Sequence, residues 1–142
     1  MTSFNPMTRV IFFQVNDNTS KIKKILDTAH LHFGKKEPLL FFVEDEKSEK
    51  FVDELLWKQP LSSFLPHVTA DGPTNDLIAI TKSKNSVNQA KIAFNLCSTA
   101  LFLNEPMKLI YEFEDLTAPV KKNLSSQRFD AYKKGGFFIE AR

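Results

Sequence analysis

The stretch RVIFFQVNDNTSKIKKILDTAHLHFGKKEPLLFFV, residues 9–43, changes its hydrophobic period twice. Arg9 to Val15 is a β-branched and aromatic run of the kind that forms a buried strand. Apolar residues then recur at helical spacing, Ile22, Ile25, Leu26, Ala29 and Phe33, with Asn18, Thr19 and Ser20 as possible N-caps and Gly34 as a stop. Leu39 to Val43 is again a continuous apolar strand. Two such strands joined by a helix pair in parallel through a right-handed crossover, which points to an α/β sheet.

Outward from this unit, a second helix starts at Glu44-Asp45-Glu46, where carboxylates suit the positive end of the helix dipole, and stops near Pro60. Leu77 to Thr81, Lys91 to Leu96 and Met107 to Phe113 read as strands separated by polar linkers such as KSKNSVN, residues 82–88. These linkers are short for crossover helices, so some antiparallel pairing is expected. Thr117 to Lys134 is a last helix, with Pro119 in its first turn and Gly135-Gly136 behind it, and Phe137 to Ile139 a final strand. The expected architecture is a single three-layer α/β/α domain over residues 1–142 with a mixed, mostly parallel central sheet, residues 1–8 forming a loosely ordered leader.

The 142 residues suit one core, with 42% hydrophobic and 25% charged residues and an unusual 14 Phe. No run is long and apolar enough to span a bilayer, and MTSFNPMTR lacks a secretory pattern, so no membrane partner and a cytoplasmic location are expected. The single Cys97 excludes an internal disulfide and reads as a buried, inert thiol. A net charge of +2 is far from that of a domain gripping phosphate backbone, so DNA contact is expected only indirectly.

Catalytic patterns are missing. The turn after the first strand reads Asn16-Asp17-Asn18-Thr19, and the 4 glycines, Gly34, Gly72, Gly135 and Gly136, cannot build a phosphate loop. His30 and His32, about 200° apart on a helix, cannot share a metal and read as solvent-edge residues. His67 reads as structural, and the carboxylates at 44–46 as helix-start electrostatics. No catalytic residue, metal or cofactor is assigned. A nucleotide-binding α/β enzyme stays as an alternative on strand and helix order alone.

Two aromatics sit off the apolar stripe of their helices. Helical projection groups Phe51, Val52, Leu55 and Leu56 as a core face and puts Trp57 nearly opposite. With Pro60, Leu61, Phe64 and Leu65, Trp57 can form an exposed patch for a partner, or it can be covered by the following loop. On the last helix Val120, Leu124 and Ala131 form the expected core face, and Phe129 lies beyond it among Lys122, Ser125, Ser126 and Lys133. That face suits an acidic ligand with an apolar tip, or is a solvated lysine face.

VEDEKSEKFVDELLWKQPLSSFLPHVTADG, residues 43–72, resembles the chi subunit family of bacterial DNA polymerase III in its acidic helix start, Leu56-Trp57, Pro60, Phe64 and Pro66-His67. QRFDAYKKGGF, residues 127–137, is similar to that family's C-terminal helix. The resemblance implies a non-enzymatic accessory subunit that joins the clamp loader through a psi-type subunit. It places psi or an alternative helicase partner on Trp57, Pro60 and Phe64. It places the acidic, aromatic-ended C-terminal tail of single-stranded DNA-binding protein on Arg128, Phe129, Lys133 and Gly136. Ser126 and Asp130 stand where the family can carry basic residues, which weakens the attraction for an acidic tail. A helicase-associated adaptor that keeps only the Trp57 face is the alternative within this class.

Overall fold

The computed structural model describes residues 8–58 and 65–142. Among them the order is β1 (Arg9–Val15), α1 (Asn18–Gly34), β2 (Leu39–Phe42), α2 (Glu46–Lys58), β3 (Val68–Thr69), β4 (Ile78–Thr81), β5 (Ile92–Asn95), β6 (Leu109–Asp115), α3 (Pro119–Lys134) and β7 (Phe138–Ala141). The strands form one sheet ordered β3-β4-β2-β5-β6-β1-β7. Thr8, the last residue of the expected leader, is fixed by a hydroxyl donated to the Met107 carbonyl at 2.6 Å. The rest of that leader lies outside the described residues.

Strand alternation explains the three layers. Ile11, Val15, Leu39, Phe41, Ile78, Ile80, Phe94 and Phe113 point to one face, where Ile25, Leu26 and Ala29 of α1 and Val52, Leu55 and Leu56 of α2 cover them. Val10, Phe12, Leu40, Phe42, Ala79, Ala93 and Ile110 point to the other face, beneath Tyr132 of α3. The α/β architecture stands.

The expected antiparallel pairing does not. Every described pairing is parallel, including β2 with β4, β2 with β5 and β5 with β6. A parallel connection needs about a dozen residues of reach and not a helix as such. Residues 82–91 and 96–108 cross the second face as irregular chain, burying Val87, Ala90, Leu101 and Met107 where a helix would lie. Small Ala79 and Ala93 let that chain approach the sheet closely. The Asn88 side-chain amide pins it by donating to the carbonyls of Leu39, Asp76 and Leu77 at 3.1–3.2 Å.

Helix ends follow local chemistry. The cap of α1 is Asp17, whose Oδ1 accepts from the Ser20 amide at 2.7 Å, so the carboxylate in that turn has a structural task. Asp45 does the same for α2, accepting from the Ser48 amide at 2.8 Å. After α3, Gly136 takes φ +81° with open space around its Cα. Left-handed backbone there favours glycine, so Gly136→Ala is expected to cost about 1 kcal/mol in a urea titration without a change in slope.

Candidate functional site

The outer side of α2 is built from its inner side. Val52, Leu55 and Leu56 are buried against the sheet, which turns Trp57 outward at 50% exposure. The indole does not stand unsupported. Its ring lies 4.4 Å from that of His67, a buried residue whose Nε2 is 2.9 Å from Asp53 Oδ1 and whose Nδ1 is 2.9 Å from the Leu65 carbonyl oxygen. Asp53 thus orients His67, and His67 props Trp57. Pro60 and Phe64, the other residues assigned to this face, lie outside the described residues. Phe51, expected in the core face of α2, is instead exposed.

The inner face of α3 differs from the helical projection. Ser125, Arg128 and Tyr132 are buried, while Val120, expected in the core, is 67% exposed. The cause is Glu112, a fully buried carboxylate in the middle of β6. It accepts from Arg128 Nε at 3.0 Å, Asn95 Nδ2 at 2.6 Å and Tyr132 Oη at 2.5 Å. Tyr132 Oη in turn accepts from the Leu101 amide at 2.9 Å, so its proton goes to Glu112. Burial pushes the Glu112 pKa up to about 7, against the opposing pull of Arg128 and the hydrogen bonds. A buried charge must be paired, and the helix presents polar side chains for that reason.

Arg128, assigned to an acidic tail, is therefore turned inward. It is 7% exposed, and beyond Glu112 it donates through Nη2 to the Phe113 carbonyl at 2.9 Å and through Nη1 to the Ser98 carbonyl at 3.2 Å. Phe129 is 38% exposed, its ring 5.6 Å from that of Phe12 in β1. Lys122, Ser126 and Lys133 are exposed at helical spacings from it, as is Asp130 beside it. Gly136 is exposed beyond the helix end. The outer stripe thus holds Phe129 and Lys133 without Arg128.

His32 of α1 also differs from the solvent-edge expectation. His32 is buried, with Nε2 2.8 Å from Tyr111 Oη and Nδ1 3.0 Å from Glu37 Oε1, and burial lowers its pKa. Among the described residues no group of His, Cys, Asp and Glu is arranged to hold a metal, and no helix is long and apolar enough to cross a membrane.

A match to the family of the DNA polymerase III chi subunit, HolC, covers residues 7–140. This chain belongs to the chi subunit family of DNA polymerase III. The Trp57 and Phe129 faces both fall within the matched span. Comparison with curated proteins returns no match. Chi is an accessory subunit of DNA polymerase III, which fits a scaffold in which Glu112, Arg128 and Tyr132 are spent on one another and on the backbone.

What sequence reasoning missed is Glu112. Its signal was a single carboxylate inside the apolar run Leu109 to Phe113, which calls for a buried partner on whatever packs above it.

Proposed function

We propose that this chi-family chain is a non-catalytic adaptor of the polymerase III holoenzyme in the bacterial cytoplasm, acting in DNA replication. One face joins a psi-type subunit, and through it the clamp loader. The other takes the acidic tail of single-stranded DNA-binding protein. The observation that carries the reading is the outward Trp57, held by His67 and Asp53, because a large aromatic on a rigid support is the usual anchor of a protein interface.

The second face is supported by Phe129 with Lys122 and Lys133 in one helical stripe. Its test is a titration with an acidic, Phe-terminated peptide at low salt. Saturable binding that weakens in Phe129→Ala is expected. Asp130→Lys is expected to tighten it by about tenfold, an effect that fades at high salt because exposed charges are screened. Absence of saturable binding by the wild type removes this half of the reading.

Arg128 facing inward and Asp130 facing outward favour a second reading, a helicase-associated adaptor that uses Trp57 alone. Retention of a helicase partner together with failure of the peptide titration selects it.

A further inference from the structure

In open α/β sheets the crevice outside the carboxyl ends of the strands is deepest where neighbouring strands send their connections to opposite faces. Here one such place lies between β2 and β5. The chain leaves β2 through α2 on the first face, and leaves β5 through residues 96–108 on the second. A cavity of about 500 Å³ opens there, a size that suits a small organic ligand. Among the described residues it is separate from the Trp57 face and from the outer stripe of α3, neither of which contributes to its lining.

Its walls divide by chemistry. Ile25, Phe51, Val52, Phe113 and Leu124 supply an apolar bed. Above it, Glu44 Oε1 accepts from the amide and hydroxyl of Ser98, tying the chain after β2 to the chain after β5. Lys21 is neutralised by Asp115 at 2.6 Å, and Arg128 by Glu112. Lys47 and Lys121 remain, exposed and without an ion pair among the described residues. Arg128, nine-tenths buried, also lines the cavity and has one Nη1 proton without a partner among the described residues.

The same crevice suits phosphate chains poorly. Three helices begin at this end of the sheet: α1 and α2 carry a carboxylate at their caps, Asp17 and Asp45, each taking one first-turn amide, and α3 opens on Pro119, which has no amide to offer. Glu44 adds a carboxylate to the rim. Multiply charged phosphates meet repulsion where a phosphate site offers free amides.

We propose that this crevice is a binding site for a small amphiphilic anion, an aromatic body with one carboxylate or sulfonate, its ring on the Phe51 and Leu124 bed and its charge at Lys47 and Lys121. The site is independent of the adaptor reading, since it uses none of that reading's outward residues.

Cys97, the chain's one cysteine, lines the cavity and reports on its occupancy. Burial pushes its thiol up to about 11, so only about one thiol in a thousand is ionised at pH 8 and alkylation is slow enough to time. The experiment measures iodoacetamide modification of Cys97 in the full chain against increasing 1-anilinonaphthalene-8-sulfonate. A saturable fall in rate is expected. In the double variant Lys47→Ala, Lys121→Ala the half-protecting concentration is expected to rise by about tenfold. The uncharged analogue N-phenyl-1-naphthylamine is expected to protect at correspondingly higher concentration. An unchanged rate up to about 1 mM probe overturns the proposal, as does equal protection of wild type and double variant. Stronger protection by a nucleoside triphosphate than by the sulfonate overturns its choice of ligand.

Discussion

Replacing Arg128 with methionine is expected to destabilise the fold by about 3–5 kcal/mol at pH 7.5, because the buried Glu112 carboxyl loses its cation and must either stay charged without a partner or draw a proton from a solution poor in them. The loss has a pH signature. The Glu112 pKa is raised from 4.5 in the unfolded chain to about 7 in the fold, so its contribution is fully present below pH 4.5 and is lost as pH rises through 7. Without Arg128 the carboxyl is held still more firmly in its protonated form, so the variant escapes much of the penalty at low pH, where the group is protonated in both proteins. Urea titrations at pH 5 and pH 7.5 are therefore expected to show the larger deficit at the higher pH. Adding Glu112→Gln to Arg128→Met is expected to recover much of it, since the buried charge is then gone. Equal deficits at both pH values, with no recovery in the double variant, would show that Arg128 acts by packing alone. The result also guards the tail-binding question: lost peptide affinity in an Arg128 variant reports unfolding unless stability is measured beside it.

Trp57→Ala is expected to do the reverse, leaving the fold nearly intact and removing a partner. Half the side chain is in solvent, so its truncation is expected to shift the urea midpoint only slightly. An aromatic anchor at an interface costs about 2–4 kcal/mol when truncated, which is about 30-fold to 1000-fold in affinity. Calorimetry with a purified psi-type subunit reads it directly. His67→Ala is a graded companion, since it removes the ring that props the indole and leaves the indole itself. An unchanged affinity in Trp57→Ala excludes this face from that contact.

Helices α1 and α2, strands β1 and β2 and the closing helix were legible in the sequence because each carries its own period and its own stop. The direction of the middle strands was not. Pairing direction depends on how the linkers travel, and residues 82–91 and 96–108 travel across a whole face without forming a helix that would announce it. The outward Trp57 was legible for a simple reason, since α2 has three adjacent large aliphatics that fix its inner side. On α3 the same projection failed because it ranked residues by hydrophobicity, and the inner side is set by a carboxylate on a strand that projection cannot see. Lys122 and Lys133 are exposed on the outer stripe as the projection has them, whereas Arg128, assigned through the resemblance, is turned inward.

The position of β1 has a consequence for how the protein is made. Arg9 to Val15 lie between Leu109 to Asp115 on one side and Phe138 to Ala141 on the other. β1 is thus made before either neighbour and has none until Leu109 and the residues after it follow. Throughout elongation an apolar ribbon, Val10 to Phe13, has both backbone edges open, the condition in which nascent chains are most prone to pair with one another. A chain that stops short of Leu109 leaves β1 without either of its native neighbours.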